Sequence, residues 1–102
     1  MNLDKKAKNL LEGNPNMMVP WFLMASYLYY HKNESMFSDE YYDALSKELL
    51  LKWDEVEHSH KHLVTKDDLM AGSLYKLKEM DYPSMCKGAA HHLMAVLKGE
   101  RE

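Results

Sequence analysis

The feature that most constrains this sequence of 102 residues is an apolar stretch running from Met17 to Tyr30. A helix that spans a bilayer needs about 20 apolar residues, so this stretch is too short to cross a membrane. It is interrupted only by Pro20 and Ser26 and is typical of a buried helix. We therefore expect a protein that does not enter a membrane, that lies in the cytoplasm, and that folds around this segment.

Composition places the chain among ordinary globular proteins. Apolar residues make up 46% and charged residues 28% of the sequence, enough apolar surface to offset the entropy of ordering. We expect one helical domain over residues 1–102. The single cysteine, Cys86, excludes an intrachain disulfide and a four-cysteine zinc site. A net charge of -3 argues against binding nucleic acid through its phosphates, which requires a basic face.

Helical spacing and turn residues predict four or five helices and no strand, and hence an all-α fold. The first predicted helix covers Leu3–Glu12 and ends at Gly13, and the second begins near Pro20. Seven residues separate the second helix from a third, which Ser38 caps. A connection this short favours a central antiparallel helical hairpin. On the third helix we expect one buried stripe, formed by Tyr42, Leu45, Leu49, Trp53 and Val56.

Two further helices are predicted in the C-terminal part of the chain. Thr65 and Asp68 form a capping-box pattern that opens the fourth helix, which should stop before Pro83. Ser84 is expected to cap the fifth helix, and Gly99 to end it. The apolar residues expected on the inner faces of these helices are Leu69, Met70, Leu74, Leu77 and Met80 on the fourth and Cys86, Ala89, Ala90, Leu93, Met94 and Leu97 on the fifth.

The candidate site lies where the hairpin helices meet. Tyr29 and Tyr30 end the second helix, while Asp39, Tyr42 and Asp43 share one face at the start of the third. Packing the two helices together would give a cleft with aromatic walls and two carboxylates. Such a cleft suits a flat cation that carries hydroxyls, because rings attract the cation and carboxylates accept from the hydroxyls. Nicotinamide mononucleotide (NMN) is a ligand of this kind.

Each of these signals also has a purely structural interpretation. The tyrosine pair can simply end a buried helix, and Asp39 can serve the positive end of the helix dipole. His58, His60 and His62 alternate as metal ligands sometimes do. They have no acid or cysteine partner at ligand spacing, so we interpret them as a polar loop and expect no metal site.

The residues of the candidate site also carry a family resemblance. Tyr27, Tyr29 and Tyr30, followed after a short loop by the motif SDEYYDALSKEL at 38–49, resemble the N-terminal Ia domain of NAD-dependent DNA ligases. A weaker similarity continues through Glu57-His58 and residues 63–67, with a residue or two inserted. The resemblance covers residues 20–69, while the predicted helices over 70–99 have no counterpart in the family.

In that family the Ia domain is a helical cap that closes on the NMN half of NAD during adenylation of the enzyme. The resemblance implies that Tyr29, Tyr30 and Tyr42 pack against the nicotinamide. It also implies that Asp39 and Asp43 hold the ribose and balance the positive charge. The sequence departs from the family pattern at Ser35, where proline is frequent, and at Tyr41, where glutamate is frequent. Neither difference removes an implied contact.

The ligase chemistry itself is not expected here. Ligation requires a nucleophilic lysine in a Lys-x-Asp-Gly motif, and the sequence contains no such motif. A chain of this length also leaves no room for a nucleotidyltransferase domain. We therefore expect a stand-alone, non-catalytic module that binds NMN or NAD, to sequester or sense it or as the accessory piece of a split ligase. Its size would suit a phage.

Two other functions stay open at this point. The first is a protein-interaction module that uses the same helical scaffold and has no nucleotide site. The second is direct binding of DNA within a ligase-like complex, which the net charge disfavours.

Overall fold

A computed structural model describes residues 3–58, 60–71 and 78–97 of the chain. These residues form α-helices and three short 3-10 turns, with no strand among them, so the predicted all-α fold is confirmed. The five helices are α1 (Asp4–Gly13), α2 (Met18–His31), α3 (Asp39–Leu51), α4 (Lys66–Ala71) and α5 (Ser84–Leu97). The 3-10 turns cover Pro15–Met17, Lys61–Leu63 and Glu79–Asp81.

Helix α2 is the centre of the fold, as the apolar stretch predicted. Eleven consecutive residues, from Met18 to Leu28, are buried, and both α3 and α5 pack against this helix. Ser26 is also among these buried residues. Its hydroxyl shares a hydrogen bond of 2.6 Å with the Tyr42 hydroxyl. None of the described helices combines the length and the apolar character needed to cross a membrane.

Helix α1 fixes the connection between α2 and α3. The Leu3 amide donates to the Met36 carbonyl (2.8 Å), and the Ser38 amide donates to the Asp4 carboxylate (2.9 Å). Ser38 caps α3 as predicted, because its hydroxyl accepts from the Tyr41 amide (3.1 Å). Gly13 belongs to α1 itself and does not follow it, which corrects the predicted end by one residue.

Helix α3 ends earlier than its apolar spacing suggested. Leu45 and Leu49 are buried on it, but the helix stops at Leu51, so Trp53 lies in a turn and Val56 is buried outside the helix. Lys61 donates to the carbonyls of both Trp53 and Val56. The Glu57 amide, which a longer helix would pair with Trp53, donates instead to the Asn16 side chain. Contacts distant in sequence therefore replace the helical hydrogen bonds.

Helix α4 begins as predicted but is shorter. Thr65 and Asp68 form the expected capping box, each side chain accepting from the other's amide. The helix does not continue to Met80, because the Lys78 amide pairs with the Asp81 carboxylate in a separate turn. Leu69 is buried, but Met70 and Met80 are exposed, so they were wrongly placed in the core. Leu74 and Leu77 lie outside the described residues.

Helix α5 starts one residue earlier than expected. The Pro83 carbonyl accepts from the Lys87 amide, so Pro83 rather than Ser84 occupies the cap position. Ala89 is exposed, contrary to the prediction of an inward position. The predicted inner residues that are buried are Cys86, Ala90 and Met94, with Leu93 half-buried. The Leu97 side chain and Gly99 lie outside what the structure describes.

Candidate functional site

A cleft of about 220 Å³ opens between the end of α2 and the start of α3. Its walls come from the last turns of α2, from the loop over residues 32–38, and from the first turns of α3. Two acidic residues and three tyrosines are among the residues that line it, and together these are the five residues singled out from the sequence. The complete lining is Ala25, Tyr29, Tyr30, Ser35, Met36, Phe37, Asp39, Tyr42 and Asp43.

Tyr29 and Tyr30 form the aromatic side of the cleft at the end of α2. Their ring centroids are 4.9 Å apart and the planes meet at 84°, an edge-to-face arrangement. Tyr29 is 53% exposed, while Tyr30 is half-buried. An exposed tyrosine ring at the mouth of a cleft offers a face on which a planar cation can stack.

The acidic side of the cleft comes from the first turns of α3. Asp39 is the first residue of the helix, and Asp43 lies one turn further on; both are exposed. Lys47, one turn beyond, forms an ion pair of 2.9 Å with Asp43. Because both side chains are well exposed, solvent screens this ion pair, and Lys47 neutralises Asp43 only in part.

Tyr42 is a fixed wall of the cleft rather than a mobile ligand group. Its ring stacks on Phe22 at 5.1 Å with an angle of 16°, and its hydroxyl is held by Ser26. Burial raises the pKa of Tyr42, so the hydroxyl is protonated at neutral pH. The resemblance implied that Tyr42 packs against the nicotinamide. Tyr42 does line the cleft, but its hydroxyl is already hydrogen-bonded to Ser26.

The floor of the cleft includes two apolar residues that the sequence reasoning missed. Met36 is fully buried, and Phe37 is buried between Trp21, at 6.1 Å, and Tyr41, at 4.9 Å. The signal was present, because Phe37 directly precedes the N-cap Ser38. An apolar residue at that position commonly packs against the first turns of the helix that follows.

The polar groups of the cleft are two carboxylates, tyrosine hydroxyls and the Ser35 hydroxyl. In the part of the chain that the structure describes, no group of three or more His, Cys, Asp or Glu residues is placed to hold a metal ion. His58 and His60 lie together, with ring centroids 5.3 Å apart, but on a different part of the surface.

Comparisons of the chain with protein-family models, with curated proteins and with solved structures each found no match. The ligase-like interpretation of the cleft therefore rests on the sequence motif at 27–49 and on the geometry described above.

Proposed function

We propose that this chain is a non-catalytic module that binds NMN, or the NMN half of NAD, in the cleft between α2 and α3. The observation that carries the proposal is the convergence of Tyr29, Tyr30, Asp39, Tyr42 and Asp43 on one cleft. Aromatic rings and carboxylates in one site favour a planar cation with hydroxyl groups. In this role the protein sequesters or senses the nucleotide in the cytoplasm, or supplies the nucleotide-binding piece of a split ligase.

The cleft is large enough to hold one part of the nucleotide but not all of it. Pockets that enclose a complete small ligand are usually about 300–1,000 Å³, and this cleft is smaller. It suits a pyridinium ring with its ribose, leaving the rest of the molecule outside. Because both charged groups of the cleft are carboxylates, the phosphate of NMN must project away from it.

Calorimetry with NMN and NAD tests the proposal directly. We expect NMN to bind, and its reduced form, which has lost the pyridinium charge, to bind about tenfold more weakly. Nicotinamide riboside, which lacks the phosphate, should bind at least as well as NMN. Absence of binding at millimolar NMN, or equal affinity for NMN and its reduced form, contradicts the proposal.

Variants on the acidic side sharpen the test, because two of them should act in opposite directions. Asp43→Asn removes a carboxylate and should weaken NMN binding about tenfold. Lys47→Gln frees the same carboxylate from its ion pair and should strengthen binding. Glu40→Gln is the matched control, since Glu40 is exposed on α3 and does not line the cleft. An unchanged affinity in Asp43→Asn or Tyr30→Ala contradicts the proposed site.

A protein-interaction module remains the second candidate, and a specific observation favours it. Leu51, Met70, Met80 and Met85 are between 71% and 84% exposed. Methionine side chains adapt to varied partner surfaces, so such residues suit a protein contact. Affinity capture with the wild-type chain and with a Met70→Gln, Met80→Gln, Met85→Gln variant separates the two candidates. Partners lost in the variant, together with no NMN binding by the wild type, would favour this second function.

A further inference from the structure

A second and larger cavity lies on another side of α2. Its volume is about 470 Å³, which falls within the range of pockets that enclose small ligands. It is bounded by the 3-10 turn before α2, the first half of α2, the residues His58 and His60 that follow α3, and α5. It shares no residue with the cleft between α2 and α3. The residues that line it are Met17, Pro20, Trp21, Met24, His58, His60, Met85, Cys86, Ala89, His92 and Leu93.

The lining of this cavity is almost entirely apolar. Three methionines, a proline and a leucine surround Trp21, whose side chain is buried in the wall. Burial raises the pKa of the Cys86 thiol, which therefore stays neutral and behaves as a small apolar group. Of the described residues that line it, none is Asp, Glu, Lys or Arg. A cavity of this kind favours an apolar ligand body over a nucleotide or a sugar.

Among the described residues, three imidazoles supply the strongly polar side of the cavity. His58 and His60 approach it from the turn after α3, and His92 from α5. The His60 amide donates to Nδ1 of His58 (3.1 Å), so the neutral His58 ring carries its proton on Nε2. Burial, and then the neighbouring His60, lower the pKa of His58, which keeps this ring neutral at pH 7. His58 therefore offers an N–H donor beside an apolar space.

We propose that this cavity binds a small amphipathic carboxylate, with its alkyl or aryl body against Trp21 and the methionines and its head group at the histidines. The apolar lining selects the body of the ligand. The imidazole donors select a head group that accepts hydrogen bonds and disfavour an ammonium. Medium-chain fatty carboxylates have this chemistry, and decanoate is the probe we would use.

Tryptophan fluorescence gives a direct readout of binding. The sequence contains two tryptophans, Trp21 in the cavity wall and Trp53 outside it, so Trp53→Phe leaves a single reporter. We expect decanoate to change the emission of Trp21 saturably in this variant. Octanoate and hexanoate should bind progressively more weakly, by about fourfold for each methylene removed, since burying a methylene contributes about 0.8 kcal/mol. Decylammonium should not bind.

Two pairs of variants test the body and the head group separately. Ala89→Phe places a ring at the cavity and should abolish binding, whereas Lys87→Phe adds the same ring on α5 at a position that does not line it. Ala89 is exposed, so the substitution does not disturb the core. His58→Phe should weaken decanoate about tenfold and decanol by less, because a hydrogen bond to a charged acceptor is the stronger one, while His62→Phe should leave both unchanged.

The chain-length series on the Trp53→Phe protein decides the proposal even where a variant fails to fold. A saturable response that strengthens with chain length and excludes decylammonium supports it. No saturable response at millimolar decanoate, no dependence on chain length, or equal binding of decylammonium overturns it. NMN binding is measured at a different set of residues, so failure here and failure of the nucleotide proposal are distinguishable.

Discussion

At the scale of single residues, two buried tyrosines differ in whether their hydroxyl groups are hydrogen-bonded. Tyr27 and Tyr82 are each 2% exposed, and their rings lie 5.5 Å apart. The Tyr27 hydroxyl is hydrogen-bonded to Nε2 of His91 (2.9 Å), which ties α2 to α5. The Tyr82 hydroxyl has no hydrogen-bond partner among the described residues. A buried hydroxyl stabilises a fold only when it is paired.

We therefore expect the same substitution to have different effects at the two positions. Tyr27→Phe loses a hydrogen bond and should lower the free energy of unfolding by about 1 kcal/mol. Tyr82→Phe removes an unpaired polar atom and should leave that free energy unchanged or raise it by about 1 kcal/mol. Urea denaturation of the wild type and both variants measures the two changes. A larger loss for Tyr82→Phe than for Tyr27→Phe would contradict this explanation.

Asn33 is the one residue other than glycine with a positive φ among the described residues, at 54°. It lies just beyond α2, where the Glu34 amide donates to the Leu28 carbonyl and helps to close the helix. Asparagine tolerates this left-handed conformation better than other residues that have a Cβ atom. Asn33→Val should therefore lower the free energy of unfolding by about 1–2 kcal/mol, and Asn33→Gly by no more than a few tenths. Thermal and urea denaturation would show the difference, and equal losses in both variants would exclude a conformational cause.

At the scale of elements, α1 acts as a brace for the candidate cleft. It lies outside the segment that resembles the ligase family, yet its first residue and the N-cap residue before it hold the loop that forms one wall. Leu3 and Asp4 bond the backbone at Met36 and Ser38, on either side of Phe37. These two bonds add to the anchoring that the buried side chains of Met36 and Phe37 give the same loop. The geometry of the cleft therefore depends on a helix that supplies none of its lining.

Removing this brace should loosen the cleft wall more than it destabilises the fold. Asp4→Ala leaves the Ser38 amide without its carboxylate acceptor and should cost about 1–2 kcal/mol of stability. The Ser38 amide should also exchange with solvent faster. Glu12→Ala, at the other end of the same helix and exposed, is the matched control. Hydrogen exchange of the Ser38 amide, measured in both variants, tests whether α1 braces the loop. The same exchange rate in the two variants would contradict this.

The elements also show what could be predicted from the sequence. Helix starts were predictable at Ser38 and Thr65, because a cap is a bond between residues three apart. The end of α3 was not, because it depends on Lys61 and on Asn16, which is distant in sequence. The same distinction holds in the cleft. The five polar and aromatic residues were predicted from their places at the ends of two helices. Met36 was not, because its backbone is held by Leu3, which is distant in sequence, and for Phe37 the one local signal was its position before the N-cap.

At the scale of the whole molecule, α2 separates two cavities of different chemistry. Ala25, Tyr29 and Tyr30 line the acidic cleft, while Trp21 and Met24 line the apolar cavity. Trp21 also stacks on Phe37 at 6.1 Å and 14°, so one buried ring pair connects the two walls. Two cavities can lie beside the same helix because residues 18–28 of α2 are apolar on every side. Each face of the helix is therefore covered by another element or borders a cavity.

The whole molecule should also respond to pH through His58. Burial lowers the pKa of this histidine below its value of about 6.5 in the unfolded chain, so the unfolded state binds more protons as the pH falls. The free energy of unfolding should therefore decrease once the pH drops below about 6.5. His58→Asn removes the titrating ring but keeps a side-chain oxygen that can accept from the His60 amide. Urea denaturation at about pH 7.5 and about pH 5.5 measures this decrease in the free energy of unfolding, which should be smaller in His58→Asn than in the wild type. The exposed His62→Asn control should lose as much stability between the two pH values as the wild type does. An equal decrease in His58→Asn and the wild type would show that other groups govern the acid response.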